Sequence, residues 1–167
     1  GFPMNRSALI VGAGSGLSSS LALQCANLGM DVALAARNIE KLEDLSIQTR
    51  ASLHKCDASK IEDVNFLFED LDEKIGIPEL VVYNPSARLR GAIETLDPEK
   101  TKEALEVTCF GAFLVAQQAA KRMLKRGSGS IFFTGASAGV KGFANSSVFA
   151  MGKFGLRGLA QALAREL

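Results

Sequence analysis

The stretch "SALIVGAGSGLSSSLALQCANLG" (residues 7–29) decides the fold. It opens with a short apolar run, 7–12, which ends in a glycine and predicts a buried β-strand. Residues 16–29 predict a helix, and Gly29 stands at the C′ position where helices commonly end. The stretch therefore predicts a strand, a tight turn and a helix in immediate succession.

The turn between this strand and this helix is rich in glycine. Gly12, Gly14 and Gly16 allow the backbone to turn tightly and to approach a ligand closely. The helix that follows offers free N–H groups and the positive end of its dipole to a phosphate. The strand–turn–helix context supports nucleotide binding. The alternative is a glycine-rich turn that binds nothing.

The rest of the chain repeats this alternation. We predict further strands at 31–37, 51–57, 78–84 and 129–135. We predict further helices at 38–48, 59–76, 98–126 and 146–167, and residues 85–98 as a loop or short helix. Asn38 and Ser59 are placed to cap two of these helices, and Asp97 followed by Pro98 to begin another.

Alternation of strands and helices predicts a parallel sheet with helices on both faces, since right-handed crossovers place them there. We predict one α/β domain over residues 1–167, a doubly wound Rossmann-like sheet with strand order 3-2-1-4-5. Strand order reverses between strands 1 and 4, and ligands bind at such a switch point, outside the carboxyl ends of the strands.

Composition excludes several other classes of protein. The net charge of this 167-residue chain is +1, with both signs interspersed, so we expect neither a nucleic-acid-binding surface nor a membrane anchor. No apolar run approaches the roughly 20 residues of a membrane span, and we expect no secretion signal, because residues 1–12 have no long apolar region and no cleavage pattern. Cys25, Cys56 and Cys109 form no CxxC pair, and the single histidine, His54, is a poor basis for a metal site. We expect a cytoplasmic protein without a metal.

The end of the second strand bears on the choice of cofactor. NAD-binding proteins place a carboxylate here, about 20 residues past the glycine loop, to bind the ribose hydroxyls. This chain instead has "AARN" over 35–38, and Arg37 can pair with a 2′-phosphate. The sequence therefore favours NADP over NAD; a solvated arginine at a strand end is the alternative.

Five stretches, in order, resemble the short-chain dehydrogenase/reductase family over nearly the whole chain. They are "VGAGSGLSSS", "LAARNIEKL", "KCDAS", "VVYNPSA" and "FAMGKFGLRGLAQALAREL". In the first, Ser18 replaces the family's third glycine. In the fourth, Asn84 and Ala87 are kept while Pro85 and Ser86 are altered. The resemblance implies an NADP site made by Gly12, Gly14, Ser15, Gly16, Leu17, Arg37, Asp57, Ala58, Asn84, Ser86 and Lys153, with Asp57 contacting adenine.

The same resemblance implies a catalytic set of asparagine, serine, tyrosine and lysine. Here Thr108, Ala136 and Phe149 stand at the first three positions, and only Lys153 is kept. Phenylalanine cannot transfer a proton, and loss of a general acid costs about 10² to 10⁴ in rate. Residues that could replace the acid are Lys153, Ser137, Ser147 and Tyr83, although core packing is the favoured interpretation of Tyr83.

Three functional hypotheses follow. The first is an NADP-dependent oxidoreductase that acts on an unknown carbonyl or alcohol. The second is a catalytically idle NADP-binding sensor or partner-binding protein. The third, least favoured, is a structural domain with no ligand.

Two further expectations come from the resemblance. It implies additional strands beyond Leu167, so we expect the chain to be incomplete at its C-terminus. It also implies a homo-oligomer formed through the helices at 98–126 and 146–167. Their apolar stripes are Leu105, Ala112, Leu114 and Val115 in one, and Leu156, Leu159 and Leu163 in the other. The alternative is that these side chains pack on the sheet.

Overall fold

A computed structural model describes residues 6–14, 16–85 and 89–134. Its centre is a sheet of five parallel strands in the order β3-β2-β1-β4-β5. The strands are β1 (Ser7–Val11), β2 (Asp31–Ala36), β3 (Ser52–Lys55), β4 (Leu80–Tyr83) and β5 (Ser130–Phe133). The predicted fold class and strand order are confirmed.

Helices connect the strands, as the alternation predicts. They are α1 (Gly16–Asn27), α2 (Glu43–Thr49), α3 (Ile61–Lys74), α4 (Pro98–Leu105) and α5 (Gly111–Arg126). Short 3₁₀ turns occupy Glu40–Leu42, just before α2, and Ile93–Thr95, before α4. Residues 135–167, which include the predicted helix at 146–167, lie outside the described residues.

The sheet is buried on both faces because its strands alternate their side chains between two cores. Leu9 and Val11 of β1 face a core that α3 and α5 cover. Ala8 and Ile10 of the same strand face the other core, which α1 and α2 cover. Strands buried on both faces must be almost entirely apolar, and this explains the unbroken apolar run at the start of the chain.

Two of the predicted helix boundaries have the geometry that the sequence indicated. Gly29 has φ +81° just past α1, in the left-handed region that glycine adopts without strain. Asp97 caps α4, because its Oδ1 accepts hydrogen bonds from the N–H groups of Glu99 at 2.9 Å and Lys100 at 3.4 Å. Pro98 follows at the first helical position.

The predicted cap at Ser59 is wrong. The residue before α3 is Lys60, and no side chain caps the helix there. Ser59 instead donates from both its N–H and its hydroxyl to Oδ1 of Asp57, at 3.0 and 2.7 Å. The serine therefore stabilises the turn after β3, on the side of the sheet edge where the strands end.

The long helix predicted at 98–126 forms with one irregularity. Between α4 and α5, Glu106–Phe110 is a π-helical turn, and the N–H of Gly111 bonds to the carbonyl of Glu106 instead of that of Val107. Sequence periodicity cannot locate such a turn, because one extra residue changes the phase of a helix without breaking it.

The apolar stripe of this helix faces inward. Ala112, Leu114 and Val115 are buried and pack in the core between α5 and the sheet. These three side chains therefore take the alternative position, packed on the sheet, whereas Leu105 of the same predicted stripe is only partly buried. Association of subunits through this helix stays a prediction. The exposed aromatic side chains of the helix are Phe110 and Phe113, whose rings stack with centroids 6.3 Å apart.

His54 is held between the edge strand and α3. Its Nδ1 lies 3.2 Å from the Asp70 carboxylate, and its Nε2 lies 2.8 Å from the Ser52 hydroxyl. Lys74 also contacts Asp70, at 3.0 Å. Burial lowers the pKa of His54 and outweighs the opposing effect of Asp70. Among the residues that the structure describes, no cluster of three metal-ligating side chains occurs.

We predict that His54 makes stability depend on pH. The unfolded chain binds a proton at this side chain below about pH 6.5, while the folded chain, with its lowered pKa, binds it only at a lower pH. The free energy of unfolding should therefore fall as the pH decreases from about 7 to 5.5, by at most about 1.4 kcal/mol per pH unit. Urea denaturation should show this loss in the natural chain and a smaller one in His54→Gln. Equal losses in the two proteins would contradict the assignment.

Candidate cofactor cleft

A cleft of about 790 Å³ lies at the carboxyl ends of β1, β2 and β4, where the strand order reverses. This is the switch point at which parallel α/β sheets bind ligands. Its lining residues are Val11, Gly12, Ala13, Gly14, Ala36, Arg37, Asn38, Lys41, Cys56, Asp57, Ala58, Asn84, Pro85 and Val107.

Six of the predicted cofactor-binding residues line this cleft: Gly12, Gly14, Arg37, Asp57, Ala58 and Asn84. Gly16 and Leu17 are described but do not line it; they form the first turn of α1, where both are exposed. Ser15, Ser86 and Lys153 lie outside the described residues. What each residue does toward a cofactor stays a prediction.

The glycine loop is held in place by its own backbone. The N–H groups of Gly12 and Ala13 both donate to the carbonyl of Ala35 in β2, at 2.8 and 3.3 Å. The N–H of Gly14 donates to the buried hydroxyl of Ser18, at 3.0 Å. Ser18, which the resemblance places at the family's third glycine, thus binds the loop from inside α1. Gly16 and Leu17, in the first helical turn, have no acceptor within the helix for their N–H groups.

Gly12 sits where a side chain cannot fit. Its φ is +81°, and a Cβ atom there would come within 2.5 Å of the backbone nitrogen of Pro85. The loop after β1 therefore touches the loop after β4 through bare backbone. This contact closes the floor of the cleft.

Asn84 joins three strands beside this contact. Its N–H donates to the carbonyl of Val11 at 2.8 Å, and its side-chain Nδ2 donates to the carbonyl of Gly12 at 3.2 Å. Its Oδ1 accepts a 2.6 Å hydrogen bond from the hydroxyl of Thr134, just past β5. The sequence predicted Asn84 for the site but not Thr134, since no motif links residues so far apart in the chain.

A positively charged end of the cleft follows β2. Arg37 and Lys41 both line it, with Asn38 between them, and both cations are exposed. Asn38 also accepts a hydrogen bond from the N–H of Glu40, at 3.1 Å, which starts the 3₁₀ turn before α2. Lys41 was not predicted from the sequence, because its place in the cleft depends on the short 3₁₀ turn over Glu40–Leu42.

Asp57 lies opposite, in the turn after β3. Partial burial raises the pKa of its carboxyl, but the hydrogen bonds from Ser59 and the positive charge of Arg37 outweigh this and lower it overall. Its own N–H donates to Asp63, at 2.8 Å. Asp57 is therefore an ionised acceptor held in one orientation at the wall of the cleft.

Two other titratable side chains near the cleft stay neutral. Burial, together with the carboxylates of Asp63 and Asp57, raises the pKa of Cys56 to about 12, so this thiol is not a nucleophile at neutral pH. Burial also raises the pKa of Tyr83, whose hydroxyl donates to the carbonyl of Val107. Tyr83 is 1% exposed, and we therefore exclude it as a replacement acid.

The residues that the resemblance places at the family's catalytic positions are only partly described. Thr108 is buried within the π-helical turn, one residue beyond Val107. Ala136, Phe149 and Lys153, together with Ser137 and Ser147, lie outside the described residues. In the part of the chain that is described, no helix is long and apolar enough to cross a membrane.

Comparison with known proteins identifies the family. The sequence profile of the short chain dehydrogenases matches residues 6–167. With the glycine loop, the switch-point cleft and the 3-2-1-4-5 sheet, this match shows that the chain belongs to the short-chain dehydrogenase/reductase family of oxidoreductases.

Curated relatives span several activities. The chain is 30% identical over 167 residues to a sepiapterin reductase of Chlorobaculum tepidum, covering 93% of this chain and 68% of that protein. It is 29% identical over 168 residues to the human 3-oxoacyl-[acyl-carrier-protein] reductase, covering 98% of this chain and 70% of the relative. The chain thus spans about two thirds of the length of these relatives.

Solved structures of the family superimpose closely. A metagenomic short-chain oxidoreductase in complex with NADP has a TM-score of 0.92 at 24% identity, over 98% of this chain and 76% of that one. An actinorhodin polyketide ketoreductase variant with NADPH has a TM-score of 0.89 at 27% identity, over 97% of this chain and 65% of that one.

We predict that Gly12→Ala destabilises the protein strongly. The new Cβ meets backbone at 2.5 Å in a left-handed conformation, so we expect a loss of more than about 2 kcal/mol in the free energy of unfolding. Gly16→Ala is the matched control, since nothing lies within 4 Å of its Cβ position and its φ is ordinary. Urea denaturation of both variants measures the difference. Similar stabilities would show that the contact with Pro85 does not constrain the loop.

Proposed function

We propose that this protein is an NADP-dependent oxidoreductase that reduces a carbonyl or oxidises an alcohol. One observation supports the choice of NADP above the others: Arg37 and Lys41 line the same end of the cleft, directly after β2. Two cations there attract a 2′-phosphate, and the strand ends without the carboxylate that would repel it.

The residues of the cleft fit a dinucleotide. Its volume of about 790 Å³ lies within the range of small-molecule and cofactor pockets. The pyrophosphate would lie at the first turn of α1, where the N–H groups of Gly16 and Leu17 face outward. Adenine would lie near Asp57, and the 2′-phosphate between Arg37 and Lys41. The cofactor, when bound, supplies the hydride.

The remaining chemistry falls to residues of this chain, and here the sequence departs from the family. Phe149 and Ala136 replace the proton donor and its neighbouring hydroxyl. We propose that Lys153 binds the nicotinamide ribose, a role that the resemblance implies and that requires no proton transfer. The idle NADP-binding protein stays the alternative, since it needs the same cleft without turnover.

We predict that Arg37→Ala reduces selectivity for NADPH. Loss of a charged hydrogen bond to phosphate costs about 1.5–3 kcal/mol, which corresponds to roughly 10- to 100-fold weaker NADPH binding. NADH, which has no 2′-phosphate, should bind with less than about threefold change. Calorimetric titration of both cofactors measures the ratio, with the exposed Lys121→Ala on α5 as the matched control. Equal losses for NADPH and NADH would contradict a phosphate contact.

A double substitution tests whether the altered set still supports catalysis. Phe149→Tyr with Ala136→Ser restores the proton donor and the hydroxyl, and turnover of a carbonyl panel with NADPH should rise by about 10² to 10⁴. NADPH affinity serves as the control and should stay unchanged. If the natural chain shows no NADPH oxidation above Lys153→Ala and the double variant shows no rise, the idle alternative replaces the enzyme.

Association into a homo-oligomer is part of the proposal. The exposed faces that could support it on the described part of the long helix carry Phe110 and Phe113, about 41% and 43% exposed. Burial of such aromatic pairs contributes substantially to interfaces.

A further inference from the structure

Tyr83 is the single tyrosine of the chain and is almost completely buried. It lies at the carboxyl end of β4, next to Asn84, and its hydroxyl donates to the backbone carbonyl of Val107. A buried tyrosine hydroxyl needs a partner, but here the partner is a helix carbonyl, which ordinarily already has one.

The π-helical turn explains why this carbonyl is available. In an α-helix, the carbonyl of Val107 would accept the N–H of Gly111, four residues on. In this chain that N–H bonds to Glu106, five residues back, so Val107 has lost its helical donor. The hydroxyl of Tyr83 takes the place of the missing N–H. The Tyr83 hydroxyl thus gains an acceptor, and the Val107 carbonyl gains a donor.

Gly111 makes room for this arrangement. A Cβ atom at Gly111 would overlap the Tyr83 hydroxyl and would lie 2.9 Å from the carbonyl oxygen of Ala58. The side chain of Tyr83, from the end of β4, therefore meets the backbone at the start of α5 and the backbone of the turn after β3 at one point.

Two of the residues joined in this way line the cofactor cleft. Val107, whose carbonyl accepts from Tyr83, lies on one part of the wall, and Ala58 lies on another. We propose that Tyr83 is a positioning residue that holds the π-helical turn against the cleft, so that affinity for NADP depends on a hydroxyl that never touches the cofactor. This inference rests on the proposed NADP site.

The first test removes only the hydroxyl. Tyr83→Phe should bind NADP⁺ at least about fivefold more weakly in calorimetric titration, the equivalent of one lost hydrogen bond of about 1 kcal/mol. Phe68→Leu is the matched control: Phe68 is packed in the same core on α3, but it does not line the cleft. It should lower the unfolding temperature and leave NADP⁺ affinity unchanged. If Tyr83→Phe lowers stability alone, its role is only structural and the proposal is wrong.

A second variant tests the coupling between Gly111 and the Tyr83 hydroxyl by adding a methyl group at Gly111. Gly111→Ala should weaken NADP⁺ binding in the natural background, because its methyl group displaces the hydroxyl. In the Tyr83→Phe background the clash with the hydroxyl is absent and only the close contact with the carbonyl of Ala58 remains, so the same substitution should cost less affinity. Additive effects of the two substitutions would overturn the proposed coupling.

An alkaline titration of the natural chain needs no variant. With one tyrosine and no tryptophan, tyrosinate absorbance reports on Tyr83 alone. The signal should appear only as the protein unfolds, since the hydroxyl is buried and bonded. Ionisation of the folded protein near pH 10, the ordinary pKa of tyrosine, would overturn the contact with Val107.

The binding experiments separate this inference from the proposed function. If the natural chain does not bind NADP⁺ at all, the proposed function fails. If it binds and Tyr83→Phe binds equally well, this inference alone fails.

Discussion

The direct contact between two backbones, at Gly12 and Pro85, is the constraint on which the site depends. Two loops that leave neighbouring strands can share one floor only if no side chain separates them, and the glycine is the residue that permits this. Once they touch, the carbonyl of Ala35 fixes the loop from one side and Asn84 fixes it from the other. Arg37 lines the same cleft as this loop, directly after β2.

Much of the fold and of the cleft could be predicted from local sequence patterns. The strands could be predicted from the apolar runs, because a sheet covered on both faces excludes polar residues. The switch point could be predicted from the glycine loop, because a parallel topology puts the carboxyl ends of the strands at one edge of the sheet. Arg37 could be found because it follows directly on a strand. Lys41 was missed because its contribution depends on the short 3₁₀ turn that brings it back toward the cleft, and the sequence alone had suggested a regular helix there.

Local sequence patterns could not predict the features that residues far apart in the chain form together. Ser59 fits the capping rule, yet Asp57 competes successfully for both of its donors. The stripe of Ala112, Leu114 and Val115 could equally face a sheet or a second subunit, and only the phase of the helix after the π-helical turn decides that it faces the sheet. Neither Tyr83 nor Thr134 belongs to a motif by itself. Each acquires its place from a partner at least 24 residues away.

The hydrogen bonds that join Thr134, Asn84 and Gly12 all run in one direction. Hydrogen bonds pass from the Thr134 hydroxyl to the amide oxygen, and from the amide nitrogen to the carbonyl of Gly12, so each group donates to the next. A side chain at position 84 must therefore accept one hydrogen bond and donate another, and the asparagine amide has both an oxygen acceptor and an NH₂ donor. A carboxylate of the same shape would turn lone pairs toward a carbonyl, and an aliphatic side chain would remove the donor to the carbonyl of Gly12 and leave the Thr134 hydroxyl with only the 3.3 Å contact to the carbonyl of Tyr83. The polarity of one planar group therefore connects the residue just past β5 with the glycine loop that lines the cleft.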